Sequence, residues 1–282
     1  MAYALLVVAW FGASPPGAGP DEYAYSLKAD AAGRGVLVGE PVAVAELAAD
    51  PQLRLGLATV PRLDQITRAV VLPADLVYPP VPCFAFQPGV SATCARSEPR
   101  LPGTQPVRVL AYMQAYPPFL FVTPGLLTRL AGDRESALWL ARAAATAVVM
   151  VLLALAIVAA SYRRHGVIAL MGVALALTPV ALSTAGVLGS SGAEIAAAIV
   201  VVVCALRLAD GERAPSWLWL VLGAAGVVLA LSRTLGPVWL ALDAGLWLGL
   251  AGGRAIARIV RGSGPVAVAA VGAVVAAAVV SV

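Results

Sequence analysis

The second half of the chain is a succession of apolar runs, at about 137–160, 166–188, 193–208, 215–232, 235–251 and 265–282. Runs of this kind are long enough to cross a hydrocarbon core about 30 Å thick. Inside such a core each backbone N–H and C=O must find its partner within the chain, and a single run meets that demand only as a helix. The composition, 61% hydrophobic and 12% charged, lies far from that of a soluble globular protein. The fold class expected is therefore an all-α polytopic membrane protein. Counting the shorter apolar run from Met1 to about Ala13 gives about seven spans. The organisation expected is a first span at 1–13, an extracytoplasmic loop with juxtamembrane helices at 14–136, and a six-helix bundle at 137–282. The first run is short for a crossing and lacks the basic start and A-x-A site of a cleaved signal peptide. The last run ends without a polar tail. Both ends are expected to be shortened pieces of a longer protein.

Charge orients this bundle. Arg163 and Arg164 follow the second run, Arg207 and Arg213 the fourth, and Arg254, Arg258 and Arg261 the sixth. The alternate connections hold only Arg233. Short arginine-rich loops face the cytoplasm, so residues 14–136 are expected outside a plasma membrane that the chain crosses several times. The net charge of +4 is scattered over these loops, which argues against nucleic acid as a partner.

The outer segment carries signals of its own. Cys83 and Cys94 flank a Pro- and Gly-containing stretch, and a disulfide there would stabilise by about 3 kcal/mol in the chain-entropy model and require an oxidising compartment. The alternative is two unpaired thiols. Asp21 to Ala32 reads as a helix, with acids at its start and Gly33 and Gly35 to stop it. Val70-Val71-Leu72 and Val107 to Tyr112 read as short strands. Tyr116-Pro117-Pro118-Phe119 leads into Leu120 to Leu130, an apolar helix too short to span and expected at the outer leaflet, with Arg129 and Arg134 at its polar end.

Two adjacent carboxylates, Asp21 and Glu22, follow the hinge Ser14-Pro15-Pro16-Gly17-Ala18-Gly19-Pro20. At a bilayer surface such charges point to function. One can act as general base toward an acceptor hydroxyl while the other orients the acceptor or a cation. The plainer reading is that acids complement the helix dipole. Arg142, just inside the second run, and Arg233 suit a phosphate at the membrane surface, because the guanidinium fork donates bidentate hydrogen bonds and stays charged. Snorkelling toward lipid headgroups is the alternative for both. Glu194 either joins the same cavity or serves as a helix N-terminal acid, with Ser190 or Ser191 as cap. Asp243 lies deeper in an apolar run, and a single histidine, His165, excludes a histidine-based metal site. Walker A, G-x-G-x-x-G, H-E-x-x-H, C-x-x-C and G-x-S-x-G patterns are all missing, which disfavours ATP-driven transport, dehydrogenase and zinc chemistry.

The order of these features, Pro20-Asp21-Glu22, Cys83 and Cys94, Tyr116-Pro117-Pro118, Ala141-Arg142, Ser191-Gly192-Ala193-Glu194-Ile195 and Arg233-Thr234-Leu235-Gly236-Pro237, resembles a family. It is the actinobacterial branch of a family of predicted membrane proteins of unknown function within the C-type (GT-C) glycosyltransferase superfamily. The resemblance covers most of residues 1–250. It implies a seven-span core and a first external loop bearing the catalytic acid. It also implies inverting transfer of sugar from a polyprenyl-phosphate donor to a glycan or lipid-linked acceptor in cell-wall biogenesis, among membrane lipids. Asp21 would be the base, with Glu22 beside it. Arg233 and Arg142 would bind the donor phosphate, and Glu194, Tyr116 and Tyr25 would line the acceptor side. The resemblance fixes no cofactor; a divalent cation, Mg or Mn, is an option and would fall to Asp21 and Glu22. Relatives generally have a histidine shortly after the acid pair, where Tyr23-Ala24-Tyr25 stands here. The other classes to weigh are a lipid-linked sugar transporter or flippase and a non-catalytic assembly subunit.

Overall fold

The computed structural model describes residues 2–49, 63–79, 81–161, 166–210 and 215–281. Arg163, Arg164, His165 and Arg213, which carried part of the orientation argument, lie outside the described residues. The chain divides into two compact units, Val8–Ala145 with Gly186–Gly189, and Met1–Val7 with Thr146–Ala185 and Ser190–Val282.

The first unit is built around a helix that water scarcely touches. After α1 (Ala2–Ala13) and the hinge, α2 (Glu22–Gly33) is buried at every position. A three-stranded antiparallel sheet, β1 (Glu40–Pro41), β2 (Arg68–Pro73) and β3 (Pro106–Ala111) in that order, covers one side. Its register runs from Arg68 opposite Ala111 to Pro73 opposite Pro106. Leu27 and Ala31 of α2 pack there on Val70, Leu72 and Ala111. The short helices α3 (Val44–Ala49) and α4 (Leu63–Ile66) fall between β1 and β2 in sequence. On another side lies α5 (Phe119–Thr128). α2 and α5 cross at Gly33 and Gly125, where a Cβ on either would strike the other helix's backbone. Only glycine allows that approach, and Phe121, Pro124, Gly125 and Thr128 are buried by it.

The sequence reading is close for this unit. α2 begins one residue later than expected, with Asp21 as its N-cap. Both strands form and pair. The apolar helix expected from Leu120 to Leu130 turns one face into protein, leaving Phe119, Leu126 and Leu130 exposed on the other. Arg134 is not at its polar end in water; it is buried at the start of α6 (Arg134–Ser161).

The second unit is helical throughout its described residues: α7 (Gly166–Ala176), α8 (Pro179–Ala185), α9 (Ser191–Ala209), α10 (Ser216–Ser232), α11 (Gly236–Ala251), α12 (Gly253–Gly262) and α13 (Pro265–Val280). α10 packs on both α9 and α13, its Gly223 and Gly226 admitting Ala270 and Val274. Among the described residues two helices, α6 and α9, are long and apolar enough to cross a membrane; the number rises to four if each bent pair is one span. The run expected at 166–188 is such a pair, bent by 72° where Pro179 follows Thr178. A proline removes a helix donor and disfavours helical geometry in the residue before it. The connection after α11 is not a loop but α12, bent by 100° from α11. Arg254, Arg258 and Arg261 share one face of α12, with Ile256, Ile259 and Val260 opposite.

Candidate functional site

Asp21 and Glu22 are neighbours in sequence with opposite surroundings. Asp21 stands at φ 58° and ψ 16°, in the left-handed region. For a residue with a Cβ this conformation costs about 1 kcal/mol, least for Asp and Asn. It leaves Asp21 exposed and Glu22 buried.

The Glu22 carboxylate accepts from five directions. Its Oε1 receives Arg142 Nε at 2.5 Å and the backbone N–H of Leu188 at 2.9 Å. Its Oε2 receives Arg142 Nη2 at 2.5 Å, the N–H of Gly17 at 3.0 Å and that of Gly19 at 3.4 Å. Gly17, at φ +82°, lies where a side chain would run into the Tyr23 ring. The hinge glycines let the backbone bend its N–H groups onto the carboxylate. Arg142 also donates to the carbonyls of Ser14 and Pro15, both at 2.7 Å, and lies over the Trp139 ring. Both side chains are fully buried. A buried pair so extensively hydrogen-bonded holds chain segments in place. The structure thus brings Glu22 and Arg142 together, and it engages with each other the two groups expected to meet acceptor and phosphate.

The Asp21 carboxylate has one side-chain partner of note, the Tyr112 hydroxyl, which donates to Oδ1 at 3.0 Å. Burial and the adjacent Asp21 charge push the Tyr112 hydroxyl far above its ordinary value, so it stays a donor. With Glu22 committed, the two carboxylates do not converge on a shared cation. No group of three or more His, Cys, Asp or Glu among the described residues could hold a metal. The residues present do not fit the cation considered from sequence.

Tyr25 is buried and stacks on Phe121 with ring centroids 5.2 Å apart. Tyr116 is half-buried at the edge of the same apolar cluster. Cys83 and Cys94 form a disulfide. Sequence reasoning passed over Glu98, which accepts from Tyr23 Oη at 3.3 Å and from the Cys83 N–H at 2.8 Å and lies 3.9 Å from Arg134. It also passed over Tyr112. The available signal for Glu98 was its position as an acid between Arg96 and Arg100.

In the second unit Arg233 and Glu194 do meet, Nε to Oε2 at 3.7 Å. Arg233 also donates to Ser190 Oγ at 2.9 Å and Ser191 Oγ at 3.0 Å. Ser190 occupies the N-cap of α9, yet its hydroxyl receives the arginine instead of capping the helix. Asp243 and Trp247 line an apolar cavity of about 360 Å³. Asp243 Oδ2 and Trp247 Nε1 are buried there without a hydrogen-bond partner among the described residues.

Long apolar helices joined to a disulfide-bonded unit with an elaborate polar interior define a helical membrane protein. The family described as "Predicted membrane protein (DUF2142)" matches residues 4–282, and the chain belongs to that family. No curated protein and no solved structure matches it.

Proposed function

We propose that this protein is a glycosyltransferase with a seven-span membrane core. It would move a sugar from a polyprenyl-phosphate donor to a cell-envelope glycan acceptor on the extracytoplasmic face, with inversion. The observation that carries this reading is Asp21: an exposed carboxylate in a left-handed N-cap, oriented by the Tyr112 hydroxyl and placed beside a locked Glu22–Arg142 pair. The resemblance to GT-C enzymes in the order of motifs supports it.

In this mechanism Asp21 takes the proton of the acceptor hydroxyl. The acceptor oxygen attacks the anomeric carbon as the bond from that carbon to the phosphate oxygen breaks. The lipid phosphate leaves as an anion and needs no general acid, since its own pKa is low. Tyr112 is a positioning residue, holding one Asp21 oxygen so that the other faces the acceptor. Within the second unit, Ser190 and Ser191 orient Arg233, whose guanidinium fork has the geometry that suits a phosphate. Glu22 and Arg142 fix the hinge on which Asp21 sits.

The test is transfer from a panel of polyprenyl-phospho-sugars in membranes containing the wild type or Asp21→Asn. General-base catalysis is worth about 100- to 10,000-fold, so the variant should lose that much while inserting normally. Retained transfer removes Asp21 from the role. A flippase reading rests on Asp243, whose buried Oδ2 has no partner among the described residues, in its apolar cavity. It requires sugar to reach the outer leaflet still attached to its lipid.

A further inference from the structure

A second cavity in the first unit, about 310 Å³, is unused by the mechanism above. Its size falls at the small end of ligand sites, about 300–1,000 Å³. Its floor is the stacked pair Tyr23 and Tyr78, ring centroids 4.1 Å apart. Tyr23 is tied to Glu98, and the Tyr78 hydroxyl donates to the Arg134 carbonyl at 2.9 Å. Arg134 is spent on the floor as well, donating to the carbonyls of Val77, Pro99 and Glu98 with the Glu98 carboxylate nearby. Those two charges cancel.

The wall and rim are different. Trp139 is half-buried and lines the space with the part of its indole left uncovered by Arg142, 4.8 Å from the ring centroid, and by Phe11, 5.2 Å away. Ser91 and Thr93 add exposed hydroxyls. Arg96 and Arg100 stand at the rim, two residues to either side of buried Glu98, and both are exposed. Neither takes part in a hydrogen bond or ion pair among the described residues, although Arg100 is close enough to help hold the Asp133 carboxyl low. Glu135 is the one carboxylate lining the cavity. The Cys83–Cys94 disulfide lies in the same loop and fixes the segment that carries Ser91, Thr93 and Arg96.

We propose that this cavity binds an acidic saccharide, a hexuronate unit of a glycan. Its carboxylate would meet the guanidinium forks of Arg96 and Arg100, its ring would lie against Trp139, and its hydroxyls would meet Ser91 and Thr93. Bidentate arginine geometry suits a carboxylate, and an aromatic side chain offers an apolar face with a polar edge to a ring that has both characters. A bare phosphate would use the arginines and leave the aromatic wall idle. The site deepens the transferase reading by naming the acceptor class, and rests on it only for that.

The test is titration of the full chain in detergent with three probes: an oligogalacturonate, a neutral oligosaccharide of equal length, and inorganic phosphate. Calorimetry is the readout. The oligogalacturonate should bind at least ten-fold tighter than either other probe, and Arg96→Ala with Arg100→Ala should remove that advantage. Both side chains are free of structural bonds, and Arg129→Ala, at another exposed arginine, should bind as wild type. Absence of oligogalacturonate binding, equal binding of the neutral oligomer, or unchanged binding by the double variant overturns the site. Phosphate binding as tightly as oligogalacturonate overturns the saccharide assignment. Binding is read without any transfer, and transfer from lipid-linked donors is read without oligogalacturonate, so failure of the catalytic reading and failure of this one are separately visible.

Discussion

Replacing Arg142 by Met tests whether this arginine is a structural clamp or a ligand for phosphate. The guanidinium meets both Glu22 oxygens at 2.5 Å and the Ser14 and Pro15 carbonyls at 2.7 Å, with both charged side chains fully buried. Removing one member of such a pair leaves an uncompensated charge in the interior, at a cost of about 3–5 kcal/mol. The buried Ser14 carbonyl loses its donor too, worth a further 1–3 kcal/mol or so. These costs overlap, so a loss of about 4 kcal/mol or more is expected. Denaturant unfolding of the full chain in detergent, followed by the loss of helical circular dichroism, measures it. Glu22→Gln alone should also destabilise. In Glu22→Gln/Arg142→Met both charges are gone, and the combined loss should fall short of the sum by about 2 kcal/mol, as for coupled neighbours. A loss below about 1 kcal/mol for Arg142→Met, or strict additivity, would refute the clamp and return Arg142 to the surface-phosphate reading.

Two further outcomes concern α2. Burial lifts the Asp30 carboxyl to about 6 from 3.8, Arg34 opposing the shift and Asp75 adding to it, while burial lowers Lys28 to about 8 from 10.5. The folded state therefore keeps the Asp30 proton where the unfolded chain has lost it, so stability should fall as pH rises from about 4 to 6. It sheds the Lys28 proton before the unfolded chain does, so stability should rise again from about pH 8 to 10.5. Thermal unfolding across pH checks both arms; Asp30→Asn should flatten the first and Lys28→Met the second. Gly125→Ala would drive a Cβ into the Ala29 carbonyl and within 2.6 Å of Gly33 N. A loss of about 3 kcal/mol or more is expected from such overpacking, against almost none for Gly89→Ala, which has open space around it.

How far the sequence could be read depended on the range of the contacts. α2, the strands at 68–73 and 106–111, and the disulfide were legible because caps, alternation and cysteine placement are local signals. The break at Pro179 was legible in principle, since proline announces it, but the apolar run around it reads as continuous. α12 was hidden because its arginines serve equally well as loop charges until their four- and three-residue spacing is noticed. The parting of Asp21 from Glu22 had no local signal at all. It depends on Arg142 and Leu188, which no window around residue 22 contains. Glu98 and Tyr112 were missed for the same reason, their partners Tyr23 and Asp21 lying 75 and 91 residues away.

That long reach also sets a clock. The Leu188 N–H that completes the Glu22 shell lies 166 residues downstream, and Arg142 lies 120 downstream. At synthesis rates of about 5–20 residues per second, Glu22 leaves the ribosome roughly 8–33 s before its last donor exists. For that interval the carboxylate lacks one of the five donors that surround it in the finished protein, and until residue 142 is made it lacks the guanidinium as well. The shell around Glu22 is thus completed only with residues 186–189, and a truncation before Leu188 leaves the carboxylate one donor short.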